Sequence, residues 1–167
     1  MKILFSIILL VTTISAQDSF RHAKIGSWIA VDQSIDSVVK WFGPPTRTDT
    51  LPGYEDMKTY FYSVGVICWV DTSSNKIVSF DIFSSDFISS SGLRLGDSVK
   101  KLKKLYGTGE DVVSEIRHLH PNYNYNFKDF TEIIYYPYGN GEDYFYHAMY
   151  LKNGKVVWIH TYRSLGC

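Results

Sequence analysis

An internal repeat constrains this chain more than any other feature, because missing one miscalls the whole fold. Trp28 to Gly43 can be laid on Gly92 to Gly107 without a gap, an offset of 64 residues. Apolar positions coincide at Ile29/Leu93, Val31/Leu95, Ile35/Val99, Val38/Leu102, Trp41/Leu105 and Phe42/Tyr106. Ser34/Ser98 and Gly43/Gly107 coincide as well. Each segment predicts a short helix with both ends marked. The serine can accept a hydrogen bond from the first free backbone N–H groups. Ile35, Val38, Val39 and Phe42 then fall on one face of a 3.6-residue helix. Gly43 and Gly107 suit the left-handed cap, and Pro44-Pro45 forbids continuation of the first helix.

Strands follow each helix. Tyr60 to Tyr62, Val64 to Val70 and Ile77 to Phe83 are β-rich, with a polar turn over residues 71–76. In the second half Glu132 to Tyr138, Tyr144 to Leu151 and Val156 to Tyr162 read as strands, and Asn153-Gly154 as a hairpin turn. Pro137 argues for an edge position in its strand. The pattern predicts an α+β fold: two tandem helix-plus-antiparallel-sheet units forming one sheet, with the helices packed on one face. The first unit covers residues 17–83, and a serine-rich linker, residues 84–91, joins it to the second. The second covers residues 92–167 and carries an insertion near 112–129.

Residues 1–16 read as a signal peptide, with Lys2 before the apolar run Ile3 to Val11 and small residues at Ile14-Ser15-Ala16. The run is shorter than the roughly 20 apolar residues that span a bilayer. No cysteine follows the cleavage point, so no bacterial lipid anchor is expected. The expectation is an exported chain, periplasmic or extracellular, starting at Gln17 and without a membrane span. With 17 Lys+Arg against 17 Asp+Glu it has no basic footprint for nucleic acid. Cys68 and Cys167 are the two cysteines. An oxidising compartment permits a bridge between them, but Cys68 sits in an apolar strand pattern where a buried thiol is the simpler reading.

The run Gly92-Leu93-Arg94-Leu95-Gly96-Asp97-Ser98, followed by a helix and Tyr106-Gly107, resembles the helix start of one superfamily. Its members are the β-lactamase inhibitory proteins and the SmpA/OmlA-type outer-membrane assembly lipoproteins. Gly43-Pro44-Pro45 before Tyr60-Phe61-Tyr62 is similar to that family's step from helix to sheet. The chain departs from the inhibitors in having no disulfide within each unit, and from the lipoproteins in lacking their lipidated cysteine. The resemblance implies a class of function: non-enzymatic binding of another protein through the sheet face and its loops.

The residues themselves offer little catalytic chemistry. There is no phosphate-binding glycine loop, zinc-spaced cysteine pair or nucleophile elbow. His118 and His120, two apart with Glu115 nearby, form an alternative metal-binding set for a small metal-dependent enzyme. The competing reading is a polar loop of solvated histidines. His147 and His160 are expected at the sheet surface. No cofactor is expected.

The chemistry that stands out is aromatic: 13 Tyr, 10 Phe and 4 Trp make up 16% of the chain. Tyr123, Tyr125 and Phe127 interleave with asparagine in the insertion, where a core role is hard to invoke. Tyr144, Tyr146 and Tyr150 alternate on one side of a strand, opposite Phe145, Met149 and Leu151. The expected partner-binding residues are therefore Tyr123, Tyr125, Phe127, Tyr144 and Tyr146. The expected partner is another protein of the envelope or extracellular space. An inhibitor, an immunity-type protein and an envelope-assembly factor all fit that description, and a structural envelope component is a further alternative.

Overall fold

In the computed structural model, residues 19–51, 53–111, 130–138 and 145–163 are described. Helices α1 (Ile35–Phe42) and α2 (Val99–Tyr106) lie where the periodicity places them. The Ser34 hydroxyl accepts from Asp36 N–H and the Ser98 hydroxyl from Lys101 N–H. Both helices stop at a glycine in the left-handed region, with φ of 81° at Gly43 and 86° at Gly107. Each glycine N–H donates back to a helix carbonyl, of Val39 and Lys103 respectively. A residue with a Cβ would be strained at either stop. Lys101 pairs with Asp97 at 2.7 Å one turn back, so this lysine of the second helix is committed within its own surface.

The strands in chain order are β1 (Phe20–His22), β2 (Trp28–Ile29), β3 (Arg47–Leu51), β4 (Tyr54–Tyr62), β5 (Val66–Asp71), β6 (Lys76–Ile82), β7 (Phe87–Ser89), β8 (Glu110–Asp111), β9 (Glu132–Tyr138), β10 (Phe145–Lys152) and β11 (Lys155–Arg163). Eight of them form one antiparallel sheet in the order β3-β4-β5-β6-β11-β10-β9-β8. The other three form a second antiparallel sheet, β2-β1-β7. Pro137 pairs with Tyr146 on β10, while β8 reaches only Tyr135 and Ile134 of β9. The proline thus lies past the end of its outer neighbour, where its missing N–H leaves no ladder bond unmade.

This architecture corrects the expected α+β pair of helix–sheet units. The described residues are mostly β, 51% strand against 14% helix, and they form two sheets instead of one. The reason is visible in three short strands. Residues 84–91 carry β7, in which Phe87 and Ser89 are buried and pair with His22 and Phe20. Trp28-Ile29 pairs with Arg21-Phe20 instead of leading directly into the helix. What repeats is local. Ser34 bridges Lys76 and Ser98 bridges Lys155, pinning each helix start to the strand that returns from a hairpin.

The two helices and the small sheet share one face of the large sheet. There Phe20, Ile29, Val38, Phe87 and Leu102 join Val66, Cys68, Phe80, Met149 and Ile159 in a single apolar cluster. Cys68 is a free thiol, fully buried in this cluster. Burial, and then the charge of Asp81, pushes its pKa well above the ordinary value, so it is an inert core residue. Cys167 lies outside the described residues. His147 is also buried here, at 1% exposure, with Nδ1 2.8 Å from the Thr161 hydroxyl and its ring edge-on to Phe20. It is a core residue, contrary to the surface position expected for it.

Candidate functional site: the aromatic face of the large sheet

Strand alternation sends every second side chain to the opposite face. On β6 that puts Asp81 there, and on β11 Trp158, His160 and Tyr162. The register places Asp81 directly opposite His160. Asp81 is fully buried, and a buried carboxylate is costly unless hydrogen bonds replace its water. Three groups do so. Trp69 Nε1 donates to one carboxylate oxygen at 3.0 Å, and Trp158 Nε1 to the other at 2.9 Å. His160 Nδ1 lies 2.7 Å from that second oxygen, which also accepts from Trp158.

Around this hub the rings are layered. Tyr150 stacks on Trp158 with centroids 3.8 Å apart and planes 15° from parallel. Phe83 stacks on Trp158 at 5.5 Å, and Phe130 packs against both Trp158 and Tyr150. Such pairs contribute about 0.5–1.5 kcal/mol each beyond the area they bury. Burial first, and then Tyr135, Asp81 and Tyr162, push the Tyr150 phenol far above its ordinary pKa, so it stays neutral beside the carboxylate. Trp158 and Tyr150 are 1% and 0% exposed, which makes the centre of this face interior in character.

The layering then runs outward. His160 stacks on Tyr162 at 5.1 Å, and Tyr162 stacks on its cross-strand partner Tyr146 at 5.4 Å, 17° from parallel. Tyr146 and Tyr162 are half-buried. They form a pre-positioned aromatic stack, the platform of this face, continuous with the buried hub. His160 is 5% exposed, so it too is interior, not the sheet-surface residue expected.

Of the expected binding residues, the structure places Tyr146 in this platform. Tyr123, Tyr125, Phe127 and Tyr144 lie outside the described residues, as do His118, His120 and Glu115. Among the described residues no group of three or more His, Cys, Asp or Glu is placed to hold a metal. Sequence reasoning missed Asp81 and Tyr162, and read Trp69 and Trp158 as buried strand residues without linking them to a carboxylate. Asp81 did carry a signal: it is a lone charge in the apolar run Ile77 to Phe83, a place where aspartate is rare unless paired.

No protein-family model and no curated protein matches the sequence. Among solved structures, the fold is similar to that of an extracellular protein containing a SCP domain from Bacillus anthracis str. Ames, with a TM-score of 0.53 and 9% identity. The match covers 79% of this chain and 43% of that one, so the chain spans less than half the length of its structural neighbour. At that identity the likeness concerns the fold alone. Among the described residues no helix is long and apolar enough to cross a membrane.

Proposed function

We propose that this chain is an exported, non-enzymatic binding protein that captures another protein of the envelope or extracellular space. Capture uses the Tyr146–Tyr162 platform together with Tyr144 and the insertion bearing Tyr123, Tyr125 and Phe127. The observation that supports this most is the half-buried Tyr146–Tyr162 stack, joined through His160 to the buried Asp81 hub. Tyrosine is enriched among the residues that dominate protein interfaces, and a pre-positioned ring loses little conformational entropy on binding. The resemblance of the helix starts to the inhibitory and assembly proteins points to the same class.

The test is capture by immobilised protein from the source organism's secreted and envelope fractions. One enriched partner is expected. Its capture should be lost in the Tyr146→Ser/Tyr162→Ser variant and kept in Trp28→Ala, with the melting temperature of the double variant within a few degrees of the parent. A folded double variant that still captures the partner would remove this face from the account.

A further inference from the structure

The segments leading into the two helices follow one backbone plan. Asp32 N–H donates to Ile77 O at 2.8 Å, and its counterpart Gly96 N–H donates to Val156 O at 2.7 Å. Ile77 N–H returns to Gln33 O, as Val156 N–H returns to Asp97 O. Both first residues adopt the left-handed region, with φ of 62° at Asp32 and 90° at Gly96. Glycine takes that conformation freely, and aspartate is among the few other residues that tolerate it. The first half therefore keeps an aspartate where the second has the relaxed residue.

A second position differs in the same sense. Trp28 stands where the other segment has Gly92, and its side chain is 41% exposed. Trp28 and Asp32 both line one open cleft of about 420 Å³, with Ser19 and Gln33. The cleft is shallow, so it would hold one face of a ligand and leave the other in solvent. The Gln33 amide is committed to the wall: its oxygen accepts from Ala30 N–H and its nitrogen donates to Trp28 O. It fixes the backbone that carries the indole. The Asp32 carboxylate lies 3.5 Å from the Arg163 guanidinium, and both side chains are more than a third exposed.

We propose that this cleft is a carbohydrate subsite, in which a pyranose lays its C–H face on Trp28 and hydrogen-bonds Asp32 through its hydroxyls. The chemistry favours a neutral sugar over a cation. Arg163 already opposes the Asp32 charge and would repel a lysine or arginine. Vicinal hydroxyls instead donate to the carboxylate and accept from the guanidinium. This site is separate from the tyrosine platform and does not depend on that reading.

The test is a titration of the ¹⁵N-labelled protein with D-glucose, D-galactose, D-mannose and N-acetyl-D-glucosamine, following the Trp28 indole N–H signal. At least one sugar should shift it saturably. Trp28→Ala should abolish binding. Asp32→Gly should weaken it about tenfold or more while the melting temperature stays equal or rises, since glycine relaxes the backbone. A structural aspartate would show the opposite pattern, loss of stability with binding unchanged. Failure of all four sugars to shift Trp28, or binding that survives both substitutions, overturns the proposal. So does a Trp28 shift produced only by a protein fraction.

Discussion

One face of the eight-stranded sheet presents Val66, Val70, Ile77, Phe80, Met149 and Ile159 to the helices and the small sheet. The opposite face presents Asp81, Trp69, Trp158 and His160, linked by hydrogen bonds of 2.7–3.0 Å. The first is held by burial, which has no direction and tolerates rearrangement. The second is held by donors aimed at one carboxylate, which fixes ring positions as well as depth. An apolar face suffices to keep a sheet folded. A directional one also defines a surface shape, and that is what a binding platform needs.

Isosteric exchanges separate the two faces most clearly. Asp81→Asn keeps the volume but turns an acceptor atom into an NH₂ that must face an indole or imidazole N–H. With at least one buried donor unsatisfied, a loss of about 2–4 kcal/mol is expected in chemical denaturation. On the apolar face Met149→Leu also keeps volume, and should cost less than about 1.5 kcal/mol. Comparable losses from the two exchanges would erase the distinction drawn between the faces.

The smallest effect lies outside both. Asp71, at the β5–β6 turn, is held near a pKa of about 2 by the Ser73 and Ser74 hydroxyls, against an ordinary 3.8. Its folded pKa is lowered, so its contribution is full above pH of about 4 and is lost as pH falls through about 2. Melting temperatures across that window should drop less steeply in Asp71→Asn than in the parent. An unchanged profile would show that the turn hydrogen bonds do not couple to folding.

The helices and hairpins were legible because their signals are local. Ser34 and Gly43 mark the ends of one helix, and Asn153-Gly154 marks a turn, all within a few residues of what they control. The second sheet was not legible. Its strands are two or three residues long and pair Phe20 with Ile29 on one side and Ser89 on the other, so no periodicity builds up. The same applies to β3, which pairs with β4 under the polar sequence Arg47-Thr48-Asp49-Thr50. The hub went unread. Asp81 was passed over although it is a lone charge in an apolar strand, and His160 lies 79 positions away, where only the β6–β11 register makes them neighbours. Strand alternation gave the face on which Tyr146 lies, whereas its stacking partner Tyr162 is set opposite it by the β10–β11 register.

The claim that the aromatic face is organised around Asp81 is tested most directly by hydrogen exchange at the four tryptophan indoles in one NMR spectrum. The Trp69 and Trp158 N–H groups, bonded to Asp81, should exchange far more slowly than those of Trp28 and Trp41, which are 41% and 39% exposed. Both slow signals should move together in Asp81→Asn. Exchange of Trp69 and Trp158 as fast as the exposed pair, or signals indifferent to the loss of the carboxylate, would contradict the account.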